Sequence, residues 1–139
     1  MNNENYMDLI SMMQECMVSG NYVAVAETAK KAIKLDPRQR QAYVLLGNAY
    51  ANLEKYDEAL LSLRNLLMIN SKDGEAYFLI GNVYLLMDDK LKAVESYNKS
   101  SEFGYNNVEM YKALAFIFLD AGDITQSLRN INKAIELAP

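Results

Sequence analysis

The sequence predicts an all-α protein built from antiparallel helix pairs. Three observations carry this prediction. The first is a repeat: residues recur at a step of about 34, as in Tyr43, Tyr77 and Tyr111, then Leu46, Ile80 and Leu114, then Gly47, Gly81 and Ala115. Tyr50, Tyr84 and Phe118 keep the same step, and so do Ala59, Ala93 and Ser127. The second is helical spacing within each step. Tyr43, Leu46, Tyr50 and Leu53 fall at i, i+3, i+7 and i+10, one face of a helix. The third is punctuation, because turn-forming residues interrupt the apolar pattern in the middle and at the end of each step.

The elements follow in order. Repeat starts fall at Tyr6, Arg40, Gly74 and Val108, giving units over about 6–39, 40–73, 74–107 and 108–139. Ser19-Gly20-Asn21 splits the first unit into two helices, and Pro37 closes it because proline cannot donate to a helical ladder. In the second unit, Leu60, Leu63 and Leu67 mark the second helix. Its turn, Leu53-Glu54-Lys55, has no glycine, so the pattern on either side places it. Asn70-Ser71-Lys72-Asp73-Gly74 ends that unit. Asp88-Asp89 splits the third, and Gly104-Tyr105-Asn106-Asn107 ends it. Ala121-Gly122-Asp123 splits the fourth, and Pro139 stands three steps after Pro37.

Composition narrows the function. The chain has 139 residues, 51% of them hydrophobic, enough for a continuous core. A net charge of -4 and a pI near 4.8 argue against nucleic acid, which needs a basic face. The single cysteine, Cys16, allows no internal disulfide. There is no histidine, which removes the commonest general base and metal ligand and leaves no zinc set. No metal or cofactor is expected. No apolar run approaches the ~20 residues that span a bilayer, and the segment from Met1 to Asp8 is acidic where a secretion leader is basic. These features point to the cytoplasm.

The repeated residues resemble the tetratricopeptide repeat family across essentially the whole chain. The family pattern is a large aromatic, Leu-Gly and Tyr in the first helix, then small, aromatic and small residues in the second. The second unit is the best copy, with Tyr43, Leu46-Gly47, Tyr50, Tyr56 and Ala59. The third follows with Tyr77, Ile80-Gly81, Tyr84, Ala93 and Tyr97, and the fourth with Tyr111, Leu114-Ala115, Phe118 and Ser127. The first departs most: Leu9, Met12-Met13 and Cys16 stand at the aromatic, Leu-Gly and Tyr positions. The resemblance implies one array over 1–139, a right-handed superhelical solenoid of about four units and eight helices. Glycine in a helix interior costs about 1 kcal/mol against alanine, so Gly47 and Gly81 imply a partner helix in close approach.

The resemblance also implies a binding surface. In the family the first helices line a concave groove. Carried over position by position, the groove residues include Gln14 in the first unit, Val44, Asn48 and Asn52 in the second, Glu75, Phe78 and Asn82 in the third, and Glu109, Lys112 and Phe116 in the fourth. Asparagines at the place of Asn48 and Asn82 often bond a peptide backbone in family members. Otherwise they are polar residues on an exposed helix. The basic clamp of chaperone-tail binders is missing: Ile10 or Val44, Glu75 or Glu109, and Leu79 or Ala113 stand where its two lysines and arginine belong. The remaining surface, apolar and edged by Glu75, Glu109 and Asp120, suits an apolar or basic peptide or an amphipathic helix.

Other residues invite a functional reading and carry less. Cys16 reads as a packed thiol, since no histidine activates it. Met12 and Met13 read as packing residues, and Lys30, Lys31 and Lys34 as a solvated face. Asp88-Asp89 lacks the spacing of a calcium loop. Leu128, Ile131 and Ile135 on the last helix are expected to be partly exposed, and to be covered by further sequence or another chain. The leading expectation is a non-catalytic scaffold for protein-protein interaction. The alternatives are a regulatory or recruiting segment of a larger enzyme, a secretion-chaperone-like protein, and an assembly formed by end-to-end self-association. No nucleophile-base pair or phosphate loop is visible, so the chain does not read as an enzyme, nor as a membrane protein.

Overall fold

The computed structural model describes residues 5–138. Residues 1–4 and 139, on which the leader and final-boundary readings partly drew, lie outside that range. Among the described residues eight helices follow one another: α1 (Tyr6–Ser19), α2 (Tyr22–Leu35), α3 (Arg40–Asn52), α4 (Tyr56–Ile69), α5 (Gly74–Leu86), α6 (Lys90–Glu102), α7 (Val108–Asp120) and α8 (Ile124–Leu137). The four repeat starts read from the sequence are the first residues of α1, α3, α5 and α7.

The helix ends have local causes. Side-chain oxygens of Asn5, Asn21, Asp73, Asp89, Asn107 and Asp123 accept from backbone N–H groups in the first turns of α1, α2, α5, α6, α7 and α8. Each such cap satisfies an N–H that the helix itself cannot. Gln39 and Lys55, before α3 and α4, make no such bond. The turn inside each unit passes through one residue at positive φ: Gly20 (79°), Glu54 (61°), Asp88 (60°) and Gly122 (82°). These four stand one step apart, so the same left-handed corner recurs whether or not glycine occupies it.

Contacts divide the chain into two compact units, one ending at Lys72 and one starting at Asp73. In the first, α1 packs on α2, α2 on α3 and α3 on α4. Leu9, Met13, Val25, Ala29, Ala32, Ala42 and Ala49 are almost wholly buried between them. Cys16 is half-buried against this core, as its position suggests. Met13 packs as expected, but Met12 is 46% exposed, because it lies on the side of α1 that no helix of the unit covers.

In the second unit, α5 packs on α6 and α7 on α8. Its core contains Ala93, Tyr97, Met110, Tyr111, Leu114 and Ile117. Ser100 Oγ donates to the Gly74 carbonyl at 2.7 Å, and Ser127 Oγ to the Ala115 carbonyl at 2.9 Å, so the buried hydroxyls are paired. Leu128, Ile131 and Ile135 are 54, 39 and 60% exposed on α8, as the sequence suggests. Among the described residues no helix is long and apolar enough to cross a membrane.

Close approach accounts for the mid-helix glycines. A Cβ on Gly47 would lie 2.6 Å from Leu63 Cδ2, and one on Gly81 would lie 2.6 Å from Tyr97 Cε1. One step earlier the sizes are exchanged. Met13 stands at the glycine place and Ala29 at the Leu63 place, and both are fully buried. The first unit's departure from the repeat pattern therefore keeps the volume while swapping which helix supplies it.

Candidate functional site

Phe78 and Asn82 lie one turn apart on α5, on the same face of the helix. Both rest on Tyr97 of α6. The Phe78 and Tyr97 rings have centroids 6.1 Å apart, and Phe78 also meets Tyr105 at 5.5 Å. The Tyr97 hydroxyl donates to Asn82 Oδ1 at 2.6 Å. Gly81, between them in sequence order, lets the Tyr97 ring come this near. Tyr97 is fully buried, and burial pushes its hydroxyl up to about 12. It stays a neutral donor across the ordinary pH range. Phe78 and Asn82 are half-buried, so each keeps an outward edge.

The rest of the predicted surface in this unit is more open. Phe116 is 61% exposed on α7 and Leu119 59%. Lys112 and Glu109 pair with each other at 3.6 Å in a solvated position. Asp120 pairs with Lys90 of α6 and holds that ammonium above its usual pKa. Glu75 is half-buried and already engaged within the chain. Each carboxylate of the acidic edge expected from Glu75, Glu109 and Asp120 thus already has an internal partner, with Glu109 and Asp120 still exposed.

In the first unit, Gln14 is exposed on α1, Asn48 is half-buried on α3 and Asn52 is exposed. Asn52 Nδ2 donates to the Asn48 carbonyl at 2.8 Å, so one of its donors is used within its own helix. Val44 is 9% exposed. It departs from its expected place on an open face, because α3 packs on α1, α2 and α4 and is covered on several sides. The pairing of Tyr97 with Asn82 was not read from the sequence. The available signal was a tyrosine at the second-helix place facing Gly81, where the preceding unit has Leu63. Among the described residues no group of three or more Cys, Asp or Glu side chains is arranged to hold a metal ion.

Comparison with known proteins bears on the repeats and the fold. Residues 47–88 match the family profile described as TPR repeat, and residues 74–103 match that described as tetratricopeptide repeat. Residues 47–103 carry tetratricopeptide repeats. The fold of these tetratricopeptide repeats is shared by solved structures. One of MamA superposes with a TM-score of 0.82 at 25% identity over 95% of this chain and 77% of that one. TTC0263, a thermophilic TPR protein of Thermus thermophilus, gives 0.86 at 23% identity over 99% of this chain and 76% of that one. A pentatricopeptide repeat-containing protein of Arabidopsis thaliana is 38% identical over 56 residues, 39% of this chain. The chain spans only 7% of that relative's length. Tetratricopeptide repeat proteins generally bind protein partners and act as non-catalytic scaffolds.

Proposed function

We propose that the chain is a non-catalytic, cytoplasmic scaffold that holds a peptide or helix of a partner protein on the faces of its first helices. In this reading residues 1–139 act as one array. The observation that carries it is Phe116, a phenylalanine left 61% exposed on α7 with Leu119 close to one turn further on, 59% exposed. Large apolar side chains left together in water mark interaction sites. Asn82 adds a polar group on the first helix of the neighbouring repeat, and Asn48 and Gln14 stand at the matching places one and two steps earlier. Glu109 and Asp120, paired but still exposed, leave room for a basic residue in an otherwise apolar ligand.

The test is selection from a displayed library of random twelve-residue peptides, followed by titration of a synthetic selected peptide. The protein as it stands should select apolar sequences. A Phe116→Ala variant, which removes an exposed ring and leaves the core alone, should bind the same peptide at least tenfold more weakly. Equal binding by both proteins would place the ligand elsewhere and refute the assignment.

A further inference from the structure

We infer that Tyr97 is a positioning residue: by holding Asn82 Oδ1 it orients the amide so that the Nδ2 donors of Asn82 face a ligand, where they fit a carbonyl of an extended peptide. This rests on the peptide-binding reading above. An asparagine amide normally offers an acceptor and two donors, and it can present either edge. Here Oδ1 accepts at 2.6 Å from a hydroxyl on a fully buried ring, which fixes the orientation of the amide. That ring is fixed by Gly81 beneath it and by Phe78 beside it. The Asn82 Nδ2 group makes no bond among the described residues. No buried side-chain polar atom among them lacks a partner, so Nδ2 is open to solvent.

The neighbouring repeat gives the contrast. Asn48 stands one step before Asn82, but Leu63 stands one step before Tyr97 and has no hydroxyl to offer. Asn48 is therefore free to turn either edge outward, whereas Asn82 is preset. A preset donor loses less rotamer freedom when it binds. The two asparagines are thus unequal in role despite their equal register, and the third repeat supplies the directional contact.

A double-mutant cycle tests this with one selected library peptide as the probe. Affinity is measured for the parent protein, Tyr97→Phe, Asn82→Ala and the double variant, with circular dichroism confirming that all four are folded. Tyr97→Phe should weaken binding about three- to tenfold in the parent and have no further effect once Asn82 is alanine. Asn82→Asp keeps an acceptor for Tyr97 and removes the donors; it should weaken binding about tenfold or more with an unchanged melting temperature. Equal weakening by Tyr97→Phe in both backgrounds would overturn the inference and leave the peptide-binding reading standing. Full binding by Asn82→Asp would do the same. If the parent protein selects no peptide at all, the peptide-binding reading fails, and this inference fails with it.

Discussion

The ring of Tyr97 lies so close to Gly81 that a methyl group there would stand 2.6 Å from Cε1. Overpacking of this kind typically costs about 1–3 kcal/mol, against a gain of about 1 kcal/mol in helix propensity from alanine. Gly81→Ala should therefore destabilise the protein by up to about 2 kcal/mol in urea denaturation, because the ring is held by Phe78 and Asn82 and cannot turn aside. Gly47→Ala meets Cδ2 and Cγ of Leu63 instead, at 2.6 and 2.7 Å. A leucine changes rotamer more easily than a clamped ring shifts, so this variant should lose less stability than Gly81→Ala. The opposite order would contradict the clamp.

Glu54 and Asp88 hold φ near 60° where the first and last units have glycine. A non-glycine residue in the left-handed region costs about 1–2 kcal/mol. Glu54→Gly and Asp88→Gly should each raise stability, by about 0.5–1 kcal/mol after the extra chain entropy of glycine is subtracted. Gly122→Ala, the reverse change at the same corner, should lower it by about 1 kcal/mol. Thermal melts of the three variants against the parent are sufficient to check the signs.

Tyr97 makes stability sensitive to alkali. Its hydroxyl ionises near 10 in the unfolded chain but only at about 12 when buried. The unfolded state therefore gives up a proton first, so the stabilisation is complete below pH 10 and is lost as pH rises towards 12. Tyr6 is raised as well, chiefly by burial, and acts in the same direction. The difference between the parent and Tyr97→Phe isolates the Tyr97 share: urea midpoints from about pH 9 to 12 should fall more steeply for the parent.

The open face of α8 predicts surface behaviour rather than stability. Ile135 is 60% exposed and Leu128 54%. Replacing both with lysine should change the unfolding free energy by less than about 1 kcal/mol, and should reduce any concentration-dependent self-association seen by light scattering. A large loss of stability would show that this face is part of the folded core.

Much of the fold was legible because packing imposes a period. The step that aligns Tyr43, Tyr77 and Tyr111 also sets the starts of α1, α3, α5 and α7. Side-chain size was legible only in part. Met13 and Ala29 look like departures from the pattern until the helices are in place and their volumes are seen to trade. Val44 shares its register with Phe78 and Lys112, yet these three run from buried through half-buried to exposed. Register fixes direction along one helix; coverage depends on how many neighbours that helix has. The bond from Tyr97 to Asn82 spans fifteen positions between two helices and needs a distance that no pattern supplies. The left-handed corner at Glu54 had no glycine to announce it.

The central claim is that ligand binding uses the first helices. The most direct measurement is the change in backbone amide NMR shifts when a selected library peptide is titrated into the protein. The largest changes should cluster at Asn82, Lys112, Phe116 and Leu119, with Asn48 and Gln14 marking any extension, while α2, α4 and α8 stay nearly unmoved. Changes concentrated on α8 or along the outer faces of α2 and α4 would contradict it.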